Sequence, residues 1–244
     1  MALDDYRPVF NTSLKLRRPL GFSEEQVASF FSAVSQAVPQ LTEYRQTEKD
    51  FHLLELQTGQ VVRQVMFRQD ELALAVAPPM TLLEADSTAR ALYPLIGEHV
   101  KPTPFLIKHL DVSLRFEFPY KGNHDLLVLR ELFGQSPFAE IAAGVEGTVR
   151  DFQPTLNVSL TADHSIVALI GIHTSTSERE IESGVFDGDK IGIVCGVGKV
   201  RNLAEQDLVA TYISLFSQAV TFVEARLLNS LVDRLRRACE GAAQ

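Results

Sequence analysis

"SLKLRRPL" at residues 13–20 and "SLRFEFPY" at residues 113–120 share a serine, a leucine, a basic residue, an apolar residue and a proline in register. A second match, "KDFHLLEL" from Lys49 and "RDFQPTLNV" from Arg150, keeps nearly the same offset and the same order. An internal repeat constrains the fold more than composition does, because each copy must be one supersecondary unit that completes its core against the other. The chain is expected to be one motif written twice, with an N-terminal half at 1–104 and a C-terminal half at 105–244 packed as one globular unit.

The hydrophobic pattern gives both halves the same rhythm. Phe10, Thr12, Leu14 and Leu16 alternate with Asn11, Ser13, Lys15 and Arg17, the period of a strand with one wet face. Ser23 and Gln26 are spaced as a capping box, and Val27, Phe30, Phe31, Val34 and Val38 make one apolar stripe that Pro39 stops. Strands are expected over 51–57, 61–68 and 71–77, joined by turns at Thr58-Gly59 and Gln69-Asp70. Thr81 and Glu84 then open a helix that Pro94 should kink or break.

The second half repeats the order: a strand over 109–118, short helices near 125–133 and 137–143, and strands near 152–160, 165–173 and 191–199. The acidic stretch "SEREIESGVFDGD" reads as an exposed excursion before the last strand. A long helix closes the chain, capped by Asn202 and Glu205. Its apolar stripe runs from Val209 through Ile213, Phe216, Val220, Val223, Leu227 and Leu231 to Leu235.

Neither half shows the strand–helix–strand alternation of a parallel sheet, so the expected class is α+β. Two β-α-β-β-β-α halves should form a curved antiparallel sheet with helices on one face and a long C-terminal helix, related by a pseudo-twofold axis. In element order this resembles the tandem half-domains of the TATA-binding-protein fold, and also the helix-grip fold, in which a long last helix crosses a curved sheet. The resemblance is one of outline and implies no activity.

Composition bounds the function. At 244 residues the chain can bury a substantial core without staples, and its two cysteines, Cys195 and Cys239, suit a reducing compartment. The N-terminus lacks the basic and apolar regions of a signal peptide, and no apolar segment reaches the roughly 18 residues of a membrane span. A cytoplasmic protein with no membrane partner is the expectation. A formal net charge of −8 argues against general nucleic-acid binding.

The candidate chemical motifs fail on spacing. In "KIGIVCGVGKVRN", residues 190–202, Gly192 stands one position too far from Gly198-Lys199 for a phosphate loop, and Val200 replaces the hydroxyl residue. Gly196 and Gly198 lack the third glycine of a dinucleotide site. The segment reads as a strand whose glycines allow close packing. Asp163, His164 and His173 are too far apart along a strand for a metal site, and Glu178, Glu180, Glu182, Asp187 and Asp189 lack calcium-loop spacing. "HTSTSE" offers hydroxyls without a nucleophile elbow. Lys15, Arg17 and Arg18 lack the interleaved aromatics of a strand-binding platform. Arg226, Arg234, Arg236 and Arg237 crowd the C-terminal end of the last helix, where cations complement its dipole; a binding role for them is left open.

No catalytic, cofactor or metal residue is therefore assigned, and an enzyme is not the first expectation. The first expectation is an interaction or scaffold protein. The long helix carries surplus apolar surface, so Leu227, Leu228, Leu231, Val232 and Leu235 are expected to contact a second copy or a protein partner. The alternative is a small-molecule binder or enzyme with a cavity between the curved sheet and the last helix, lined by Phe116, Phe118, Tyr212 and Phe216.

Overall fold

The computed structural model describes residues 2–19, 21–48, 50–143, 149–186, 190–201, 203 and 207–242. The class is α+β, built on a nine-stranded antiparallel sheet. The strands are β1 (Val9–Leu16), β2 (Glu43–Gln46), β3 (Phe51–Gln57), β4 (Gln60–Phe67), β5 (Glu71–Val76), β6 (Ile107–Pro119), β7 (Thr155–Ser159), β8 (Ile166–His173) and β9 (Lys190–Lys199). Their order across the sheet is β2-β3-β4-β5-β1-β6-β9-β8-β7.

The first half thus carries four strands after its first helix where three are expected. The additional strand, β2, is short and fully exposed, and it is held by antiparallel pairing of Glu43–Gln46 with Phe51–Leu54. Backbone hydrogen bonding at an edge needs no apolar alternation, which is why the hydrophobic pattern does not report it.

The chain packs as two compact units, each assembled from separated segments. The first comprises Met1–Leu114, Val158–Ala168 and Gly196–Val220. Here β1 turns Phe10, Thr12, Leu14 and Leu16 inward, as the alternation requires. The helix α1 (Glu24–Ala37) is opened by the reciprocal Ser23–Gln26 box and buries Val27, Phe30, Phe31 and Val34. Thr58 and Gly59 both take positive φ, 52° and 81°, in the tight turn that joins β3 to β4. The helix α2 (Leu82–Leu95) begins at the Thr81–Glu84 box. It passes Pro94 by one residue, then widens into a π turn over Ile96–Val100 that ends at Lys101 with φ 47°.

The second unit comprises Arg115–Asn157, Leu169–Cys195 and Thr221–Gln244. It holds α3 (His124–Phe133), α4 (Pro137–Ala143) and α5 (Glu178–Ser183). The last of these lies inside the acidic stretch expected to be irregular, and a Ser177–Glu180 capping box starts it.

The chain closes with α6 (Leu208–Phe222), a π segment (Val223–Val232) and α7 (Asp233–Ala242), continuous over Leu208–Gly241. The expected caps Asn202 and Glu205 lie outside the described residues. Asp207 does the capping, its Oδ1 accepting from the Val209 N–H at 2.8 Å. Against the expectation that no apolar segment reaches the length of a span, this helix is long and apolar enough, by length and composition, to cross a bilayer. One third, 33%, of its most apolar window is buried, and Tyr212, Leu215, Ala219, Val223, Val232 and Leu235 along the helix are fully buried.

Candidate functional site

The glycine-rich stretch after Lys190 is the strand β9. A Cβ on Gly198 would sit 3.3 Å from the Cβ of Asp111, and one on Gly196 would sit 3.7 Å from the Cβ of Ser113. The approach is close at Gly198 and ordinary at Gly196, and the stretch forms a strand where a phosphate loop would need a turn. Asp163 and His164 are used locally. Side-chain hydrogen bonds from Thr161 and Ser165, and the Ser165 N–H donating to Asp163 Oδ1 at 3.1 Å, hold the Asp163 carboxyl down to about 2, and His164 Nδ1 lies 2.7 Å from Ser159 Oγ. Among the described residues no His, Cys, Asp or Glu group could hold a metal; Asp187 and Asp189 fall outside them. Of the terminal arginines, Arg236 and Arg237 pair with Asp233 at 2.7 and 2.9 Å, while Arg226 and Arg234 are exposed.

Phe116 and Phe118 are core residues of the second unit, and Tyr212 and Phe216 are core residues of the first. Tyr212 stacks on Tyr93, and Phe216 meets Phe10 edge-on at 6.0 Å. On the last helix, Leu227, Val232 and Leu235 are buried within the second unit. Leu228 and Leu231 are half-buried. Of the apolar stripe read from the sequence, Phe216, Val223, Leu227 and Leu235 are buried in the protein's own core, while Val209, Ile213, Val220 and Leu231 are half-buried.

Open apolar surface lies instead on α3 and α4. Within the second unit, the N-terminus of α3 is fastened by polar contacts. Asn123 caps it, with Oδ1 accepting from the Leu126 N–H at 2.9 Å and Nδ2 donating to the Val149 carbonyl at 3.0 Å. His124 is fully buried. Its Nδ1 accepts from the Ser175 N–H at 3.2 Å, which places the ring proton on Nε2, where it is donated to the Tyr120 carbonyl at 3.0 Å. Asp125, 1% exposed, accepts from the Phe152 N–H at 2.9 Å and the Thr174 hydroxyl at 2.7 Å. Every polar group in this cluster is satisfied locally, which makes it a clamp that fixes α3.

The clamp leaves Leu127, Val128 and Leu129 inward and turns Leu126 and Arg130 outward. At the turn into α4 a Cβ on Gly134 would run into the Arg130 carbonyl, so glycine is the residue that fits. The helix α4 buries none of its residues; Phe138 and Ile141, one turn apart, are 63% and 67% exposed. Between α3 and α4 runs an open groove of about 540 Å³, bordered by Leu126, Phe138, Ile141 and Phe152, with Gly134, Ala139 and Ala142 along it. Soluble chains seldom leave adjacent large apolar side chains this exposed without a use for them.

The sequence signal for this patch is "SPFAEIAA", in which Phe138 and Ile141 share a helical face. Periodicity alone cannot tell a buried face from an exposed one. No known protein-family model matches the chain, and no curated protein matches it.

Proposed function

We propose that this chain is a non-catalytic interaction protein that self-associates, and that the contact is the α3–α4 patch. The observation that carries this is the pair Phe138 and Ile141, two thirds exposed beside a groove floored by small residues. Such a surface offers both a projection and a recess, which an isologous contact between identical copies requires. The free helix face expected from the sequence is not what supports self-association, since three of its five residues are buried.

The charges beside the groove are compatible with a second copy as the occupant. Copies of a chain with net charge −8 repel each other over most of their surface. Around the groove the signs are mixed: Arg130 pairs with Glu131 at 2.9 Å, Arg150 with Glu178 at 2.6 Å, and Glu140 stands on α4. A patch that carries both signs lets opposite charges of two copies face each other.

The strand order also supports reading the chain as a duplicated motif of the TATA-binding-protein outline. Outward from β1 the neighbours are β5, β4 and β3, and outward from β6 they are β9, β8 and β7. This reading concerns ancestry and brings no activity with it.

Sedimentation velocity on the full chain across a dilution series tests the function. The wild type should sediment as a species of twice the chain mass that dissociates on dilution, and Phe138→Glu with Ile141→Glu should be a folded monomer throughout. A wild type that stays monomeric, or a double variant that associates equally well, rejects the proposal.

A further inference from the structure

We infer that the cleft between β7–β8 and the π segment of the last helix, within the second unit, is a binding site for an uncharged, largely hydrocarbon small molecule. This goes beyond self-association and concerns a different surface. The cleft has a volume of about 450 Å³. That falls in the range of roughly 300–1,000 Å³ typical of small-molecule sites.

Its walls combine buried and exposed apolar side chains. Ile170, Ile172 and Leu227 border the space yet are only 9%, 3% and 7% exposed. These side chains form the floor of a cleft open to solvent, which a hydrocarbon ligand lying along it would cover. Leu156, 57% exposed, stands at the mouth.

The lining chemistry selects the ligand class. None of the residues that line the cleft is charged, and its side-chain polar groups are the hydroxyls of Thr155 and Ser230. A carboxylate or ammonium group would lose its hydration there without an ionic partner. Ser230 already donates to the Arg226 carbonyl, so toward a ligand it accepts. A hydroxyl group on an otherwise apolar ligand matches that arrangement.

The helix supplies a separate line of support. Leu227, Ser230 and Leu231, its contributions to the cleft, all belong to the π segment Val223–Val232. There the Asp233 N–H reaches the Leu228 carbonyl, five residues back. π geometry is rare beyond a single turn and concentrates at functional sites, because it widens the helix and re-aims its side chains.

The test uses the full chain and the neutral fluorophore Nile red. Saturable binding is expected, with displacement by decanol and displacement by decanoate at least about tenfold weaker. Leu231→Trp, which fills the cleft, should weaken Nile red binding by about tenfold or more. Thr155→Trp, at an exposed strand position, should do the same without touching the core, so a folding defect in the first variant would not decide the matter. Phe138→Glu with Ile141→Glu should leave binding unchanged even where it abolishes self-association. Absence of saturable binding, equal displacement by decanol and decanoate, wild-type binding by the folded Trp variants, or loss of binding in the α4 double variant would each overturn the inference.

Discussion

The ring of Tyr93 stacks on that of Tyr212 with centroids 4.8 Å apart and planes inclined by 21°, and the two hydroxyls donate to different partners. Tyr212 donates to Asp86 Oδ1 at 2.9 Å. Thr12 gives its one hydroxyl proton to the Asp111 carbonyl at 2.7 Å, so Tyr93 must donate to Thr12 Oγ1, also at 2.7 Å. Burial raises both phenol pKa values and keeps both groups protonated donors. The two bonds differ in kind: one reaches a buried carboxylate, the other a neutral hydroxyl.

That difference sets the first prediction. Tyr212→Phe should destabilise the protein by about 1.5–3 kcal/mol, and Tyr93→Phe by about 0.5–1.5 kcal/mol, because bonds to charged groups are stronger. Urea denaturation of the two single variants checks the order. Equal costs would mean that the carboxylate is not the main acceptor.

The buried ion pair predicts a non-additive series. Arg63 Nη1 lies 2.6 Å from Glu55 Oε2, with both side chains almost fully buried and Arg63 Nε without a partner. Arg63→Met should cost about 3–5 kcal/mol by stranding the carboxylate, while Arg63→Met combined with Glu55→Leu should lie close to wild type. A double-mutant cycle by chemical denaturation measures the coupling.

Alkaline pH should weaken the fold in a defined window. Burial pushes the thiols of Cys195 and Cys239 up from 9.0 to about 12. The folded state therefore holds those protons more tightly than the unfolded chain. The associated stability is complete below pH 9 and is lost as pH rises toward about 12. The denaturation midpoint should fall across that window, and less steeply in Cys195→Val. At pH 8 a thiol reagent should label neither cysteine until denaturant is added.

The α3 clamp predicts a graded pair. Asp125→Ala leaves the Phe152 N–H and the Thr174 hydroxyl without their acceptor. It should cost about 2–4 kcal/mol. Asp125→Asn retains an acceptor oxygen and should recover part of that loss. Thermal unfolding of the two variants side by side provides the comparison.

Much of the framework was legible because its signals are local. The Ser23–Gln26 and Thr81–Glu84 boxes form as spaced, and the strand at 51–57 falls where its bounding turns put it. What escaped depends on partners distant in sequence. The edge strand Glu43–Gln46 is defined by pairing with β3, and α5 by a capping box without an apolar stripe. The stripe through Leu227, Val232 and Leu235 was visible, but periodicity identifies an apolar face without saying what covers it. The same limit hid the groove beside Phe138.

Hydrogen exchange on the full chain, at concentrations above and below dissociation, most directly tests self-association through α3 and α4. Amides over residues 126–143 should exchange more slowly at high concentration, while those over 227–235 remain unchanged. Concentration-dependent protection along 227–235 instead, or none at either segment, would contradict it.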